Sequence, residues 1–157
     1  TEIYTLSLHD ALPIWEILRS KGYQCDIVQL ETLIAMAKER VSFVRELWDQ
    51  VDFFFRAPES YDQEVIKKRW KDETPVQLEE LKGILEACED FTPSGTESAV
   101  KLWIEQKGYN TGAVMNAFRL VIVGASRGPH MFDIISWIGR EETIRRIDRG
   151  ISVIGKK

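Results

Sequence analysis

Arg119, the run Gly124-Ala125-Ser126-Arg127-Gly128-Pro129 and, just beyond it, Met131 form the stretch whose residue types could do binding chemistry. An arginine presents a planar fork of N–H donors, suited to phosphates, carboxylates and the acceptor edges of flat rings. Gly124 and Gly128 let backbone come close to a partner and leave N–H groups exposed. Pro129 suits the start of a new helix, whose unpaired N–H groups and positive end favour an anion. Met131 offers an adaptable apolar contact. Each residue also has a plainer use. Arg119 could pair with an acid on a neighbouring helix, Gly128-Pro129 could be a helix–helix turn, and Met131 could be core.

Other chemistries lack their parts. The histidines are His9 and His130, and the cysteines are Cys25 and Cys88, in no spacing that suggests a zinc site or a disulfide framework. The neighbours of His130 offer no nucleophile for a Ser-His-Asp or Cys-His arrangement. No P-loop and no GxGxxG occurs. Glu79-Glu80 and Glu141-Glu142 read as surface or dipole-pairing acids on helices. The chain is therefore not expected to be an enzyme by itself, and no metal or cofactor is expected in it.

The 157 residues suffice for one domain or two small ones, and 44% apolar with 29% charged content suits a soluble globular protein. No apolar run is long enough to cross a bilayer, so no membrane partner is expected. The net charge of −4 is unevenly spread. Residues 1–100 hold 11 Lys/Arg against 20 Asp/Glu, a balance of −9, whereas residues 101–157 hold 10 against 5, a balance of +5. That asymmetry suggests a C-terminal part that faces a polyanion, with an ordinary solvated helix surface as the alternative.

The elements that must position these residues read as all-α. Nothing alternates with period two for long. A first helix ends near Gly22; Leu30, Leu33, Ile34 and Ala37, then Val41, Val44, Trp48, Val51 and Phe55, fall at helical spacing with a break near Arg40, and Pro58 stops the pattern. A short helix is expected from Asp62 to Trp70. Thr74-Pro75-Val76-Gln77 and Ser94-Gly95-Thr96-Glu97 read as capping boxes that start the next two helices. Asn110 or Thr111 opens a helix that Gly124 closes, Pro129 starts another that Gly139 closes, and a last helix carries Glu141 and Glu142 early and Arg145, Arg146 and Arg149 later. The aromatic side chains of Trp48, Phe53, Phe54, Phe55, Trp70 and Trp103 are expected in the core. The break near Thr74 is the expected boundary between two consecutive helical subdomains, residues 15–73 and 74–157. The opening Tyr4–Ile14, YTLSLHDALPI, resembles the in-frame translation of a sequencing adapter, so residues 1–14 are expected to be a non-native scar.

Several stretches in order resemble the C-terminal anticodon-binding region of bacterial glutamyl-tRNA synthetases. They are Lys38-Glu39-Arg40-Val41 through Phe53-Phe54-Phe55, Trp70-Lys71, Lys107-Gly108-Tyr109, Asn116-Ala117-Phe118-Arg119-Leu120, Val123-Gly124-Ala125-Ser126, Gly128-Pro129-His130-Met131-Phe132-Asp133 and Gly139-Arg140-Glu141-Glu142-Thr143-Ile144. The similarity runs from Trp15 to about Ile151. It implies an all-helical region of two subdomains that recognises the glutamate tRNA. Glutamate activation with ATP would belong to a preceding catalytic domain with HIGH-type and KMSKS-type signatures, neither of which occurs here. By the same resemblance Arg119 would approach an anticodon base or phosphate, Ser126, Arg127, Gly128 and Pro129 would line the anticodon-facing loop, and Met131 would stack or wedge against an unstacked base. Arg40 would correspond to an arginine of the first subdomain. A cytoplasmic monomer without a DNA partner is expected. The competing expectation is a helical protein–protein interaction domain that has kept the scaffold and lost RNA binding; it calls for an exposed apolar groove in place of a basic face.

Overall fold

The computed structural model describes residues 16, 18–24, 26–37 and 44–155, and among them every regular element is a helix. Those with described bounds are α1 (Ile27–Ala37), α2 (Val44–Phe55), α3 (Gln63–Arg69), α4 (Thr74–Ala87), α5 (Pro93–Lys107), α6 (Thr111–Val123), α7 (Met131–Ile138) and α8 (Arg140–Ile154). The chain divides into two compact units, residues up to Arg56 and residues from Ala57 on.

In the first unit, α1 opens with a reciprocal cap. Asp26 Oδ1 accepts from the Gln29 N–H at 2.8 Å, and Gln29 Oε1 accepts from the Asp26 N–H at 3.2 Å. Gly22, at φ 79°, ends the preceding turn as expected. Leu18, Leu30, Leu33, Ile34, Val51, Phe53 and Phe54 are buried. Tyr23, Trp48 and Phe55 gather with ring centroids 5.6–6.1 Å apart, and the Lys21 ammonium sits 5.2 Å from the Trp48 ring.

The second unit is built around α6. Val114, Ala117, Phe118 and all of Leu120–Val123 are buried. Four consecutive buried residues exceed what one helix face can carry, so α6 is covered on several sides, by α4, α8 and α3. Gly150 on α8 permits a close approach to α6, since a Cβ there would lie 2.3 Å from Val121 Cγ1.

The segment before the boundary expected at Thr74 packs against helices that follow it. Tyr61 and Ile66 bury against Leu120 and Ile154, with Val65 and Trp70 packed beside them. The Asp62 N–H also donates to the Gly124 carbonyl at 2.8 Å. The segment before Thr74 therefore packs within the second unit, because α3 is too short to bury its apolar side except against α6 and α8.

Two helix starts also differ from expectation. Glu73 precedes α4 without a side-chain cap, and the Thr74 hydroxyl instead accepts from the Lys71 N–H at 2.8 Å. Helix α5 is capped by Thr92, whose hydroxyl accepts from the Gly95 N–H at 3.1 Å, two residues before the expected Ser94. Glu97 is spent on Lys101. At α6 the expected start is met, with Asn110 Oδ1 accepting from the Ala113 N–H at 2.9 Å.

Glu80, expected to be a surface acid, ties α4 to the end of α5. Its carboxylate accepts from Tyr109 Oη at 3.0 Å, Lys107 Nζ at 3.2 Å and Trp103 Nε1 at 3.3 Å. Desolvation pushes its pKa up, but the three donors outweigh it and hold the carboxyl below its ordinary value. A carboxylate whose pKa is lower folded than unfolded stabilises above its unfolded value of 4.5, and that contribution is lost as pH falls below it. Glu80→Gln is therefore expected to be less stable than wild type at neutral pH, with the two urea midpoints converging as pH drops below 4.5. A gap that stays constant with pH would exclude the charged role.

Candidate nucleic-acid interface

The residues singled out between Asn116 and Phe132 do come together, at the C-terminal end of α6 and the loop that leads into α7. Helix α6 ends at Gly124, which adopts φ 89°, and its N–H closes the last turn on the Leu120 carbonyl at 2.8 Å. A side chain has no room there, since a Cβ would lie 2.7 Å from Pro58 Cβ and 2.9 Å from the Ser60 carbonyl. Glycine is thus required twice over, for its conformation and for space. Ala125 to His130 follow as loop, with Gly128 again at positive φ, 100°.

Arg119 sits one turn before the helix end and reaches back under the loop. Its Nη1 donates to the Arg127 carbonyl at 2.9 Å and to the Pro129 carbonyl at 2.8 Å. The side chain is half-buried. Both bonds direct Nη1 at backbone within the protein. Within the loop Ser126 is exposed, Arg127 and Gly128 are half-buried, and Pro129 is buried. Pro129 precedes the helix start by two residues; His130 is the residue before α7, without a side-chain cap. The His130 ring lies 5.5 Å from that of Phe132 and its Nε2 is 4.0 Å from a Glu97 carboxylate oxygen.

Met131 is 1% exposed and lies in the core with Phe132, Ile134 and Ile135 of α7. A thioether at the first position of an apolar helix is drawn to the interior. Arg146 likewise does not face outward. It is 1% exposed, its Nε donates to Glu142 Oε1 at 2.9 Å and its Nη1 to the Ile122 carbonyl at 3.0 Å. Burial pushes the guanidinium below its ordinary pKa, and the Glu142 carboxylate opposes that. Arg145 is exposed and also pairs with Glu142, and Arg149 is exposed. Arg40, His9 and Cys25 lie outside the described residues. Among those described, no three or more His, Cys, Asp or Glu side chains gather where they could hold a metal ion, and no helix is long and apolar enough to cross a membrane.

The site is thus a braced loop that carries a glycine-containing backbone from the end of α6 to the start of α7. The family model of the anticodon binding domain matches residues 8–151, a span that begins inside the segment 1–14 set aside as a scar. The chain belongs to this anticodon binding domain family. It is 50% identical over 139 residues to the glutamate–tRNA ligase of Porphyromonas gingivalis strain W83, covering 88% of this chain and 28% of that protein. To the glutamate–tRNA ligase of Phocaeicola vulgatus it is 46% identical over 138 residues, covering 88% of this chain and 27% of that protein. A crystal structure of a glutamate–tRNA ligase from Elizabethkingia meningosepticum superposes with a TM-score of 0.88 at 32% identity, over 98% of this chain and 30% of that one. The chain spans just over a quarter of the length of the curated relatives it matches. The resemblance read from the residue stretches is met in both sequence and fold.

The burial pattern separates the two classes of loop residue by stability. Met131→Ala is expected to cost about 2–5 kcal/mol, and Ser126→Ala to stay within roughly 0.5 kcal/mol of wild type. Urea denaturation of both variants checks this; a Met131→Ala variant as stable as Ser126→Ala would contradict the burial.

Proposed function

We propose that this chain is the anticodon-binding part of a glutamate–tRNA ligase and that its partner is the glutamate tRNA. The observation that carries the proposal is the family match over residues 8–151. The loop Gly124–His130 suits the task on physical grounds. Proteins read single-stranded RNA by hydrogen-bonding and stacking on splayed bases, which an anticodon loop presents. Ser126 is exposed and offers a hydroxyl, the half-buried Arg127 a guanidinium, and Gly128 a backbone that a partner can approach. Pro129, buried, shapes the turn instead of touching RNA. The basic balance of residues 101–157 adds the long-range attraction that a polyanion feels. In this proposal glutamate activation with ATP is the work of a catalytic part of the ligase outside these residues, and this region contributes recognition alone, as a cytoplasmic monomer.

Filter binding tests it. The chain is expected to bind the glutamate tRNA with an affinity that falls steeply as salt rises. A transcript with a changed anticodon is expected to bind more weakly. Arg127→Ala should weaken binding and, if the guanidinium meets a phosphate, lower the slope of log K against log salt by about 1. Equal affinity for both transcripts would sink anticodon recognition.

A further inference from the structure

Much of the positive charge left free on the second unit gathers at the end of α3. Lys67, Lys68 and Arg69 make up its last turn and Lys71 follows it, all four exposed. We propose that Lys68, Arg69 and Lys71 form a second contact surface for the tRNA, one that takes the sugar–phosphate backbone of the stem adjoining the anticodon loop. This inference rests on the RNA-binding function proposed above and adds a surface that holds the ligand without reading its sequence.

Basic side chains elsewhere in the unit are largely committed. Lys82 is tied to Asp148, Lys107 to Glu80 and Arg145 to Glu142, while Arg146 is buried. Lys67 itself meets Glu64 at 3.6 Å. Lys68, Arg69 and Lys71, in contrast, pair with no acid among the described residues. A run of unpaired cations suits a chain of phosphates, because each phosphate it neutralises releases a condensed counterion.

Position ties this surface to the loop. Helix α3 is fastened at its start to the end of α6, where the Asp62 N–H donates to the Gly124 carbonyl at 2.8 Å. Six residues on, at the helical rise, Lys68 lies roughly 9 Å along the axis from that point. An RNA stem continues directly from its loop, and its phosphates recur every few ångströms, so a ligand seated on Gly124–His130 has stem phosphates within reach of the end of α3. Burial directs the charges outward. Ile66 packs against Leu120 and Ile154, and Lys68 falls on the opposite side of the helix. Lys71 is held by its N–H, which donates to the hydroxyl of the buried Thr74 at 2.8 Å. Arg149 of α8, also exposed, lies close to the start of α3: burial raises the pKa of Tyr61, and the charge of Arg149 acts against it. Asp72 and Glu73 follow, so the attractive stretch ends at Lys71.

Cations in a last turn also suit the helix dipole. That role shows in stability, whereas a phosphate contact shows in salt-dependent binding. The triple variant Lys68→Gln/Arg69→Gln/Lys71→Gln removes three exposed charges. Its affinity for the glutamate tRNA, measured by filter binding with the 157-residue chain, is expected to fall roughly tenfold or more at about 0.1 M salt, with the slope of log K against log salt lowered by about 2–3. The preference over a transcript with a changed anticodon should keep its wild-type ratio, since phosphate contacts weaken binding uniformly. Lys68→Arg/Lys71→Arg, which keeps the charge, should bind as wild type. The isolated anticodon arm, stem and loop alone, should show the same loss as the whole tRNA. Wild-type affinity and slope in the triple variant would overturn the proposal. So would a loss confined to the whole tRNA, which would put these residues on another arm, or a lowered urea midpoint with an unchanged salt slope, which would leave them to the helix end alone. Should wild-type protein bind both transcripts alike, anticodon recognition fails, while the salt slopes still decide whether α3 meets phosphates.

Discussion

The second unit depends on how α6 ends. A helix leaves its last carbonyls without intrahelical partners, and α6 ends in the interior, where water cannot supply the missing donors. The buried Arg146 donates to the Ile122 carbonyl, the Asp62 N–H to the Gly124 carbonyl, and Gly124 turns the chain at positive φ with Pro58 packed against it. These contacts draw three separate parts of the sequence to one point: α8, the segment leading into α3, and the loop toward α7. The binding loop is therefore not a free excursion on the surface but the continuation of a helix end that is satisfied from several sides.

Burying Arg146 for this purpose is expensive, because a charge must be taken out of water. Glu142, one helical turn earlier, supplies the opposite charge, and the Ile122 carbonyl takes another donor, so the group is both paired and hydrogen-bonded. Removing one partner from such a buried pair costs roughly 3–5 kcal/mol in other proteins. Two arginines thus serve the backbone on successive stretches of chain. Arg146 answers the carbonyl at the helix end, and Arg119 answers those of the loop that follows. The basic excess of residues 101–157 is accordingly smaller at the surface than a count of charges suggests, although it still sets the sign of the field a polyanion would meet.

Much of this was legible along the chain. The helices follow from apolar residues at a spacing of three and four, and their ends from Gly22, Gly108, Gly124 and Gly139, each of which has positive φ in the structure. The helix–loop–helix from Asn116 to Phe132 was visible because glycine and proline mark backbone conformation locally. Caps were read less well. Thr92 caps α5 in place of Ser94, and Asp26 with Gln29 forms a reciprocal cap at α1, since several polar residues near a helix start can serve and packing selects among them.

What no local pattern carried is which partner a long side chain meets. Arg119, Arg146 and Glu80 look alike in sequence, as charged residues on amphipathic helices. Folding gave them two loop carbonyls, a buried helix end and a three-donor cluster. The same holds for Met131, equally suited by its chemistry to a core or a base, and for the short helix α3, whose allegiance depends on a surface built from α6 and α8. Periodicity and backbone-restricting residues act over three or four positions and can be read from order alone. Burial and hydrogen-bond partnership join residues far apart in the chain, as Asp62 and Gly124 or Lys82 and Asp148 are, and exist only once the helices have packed.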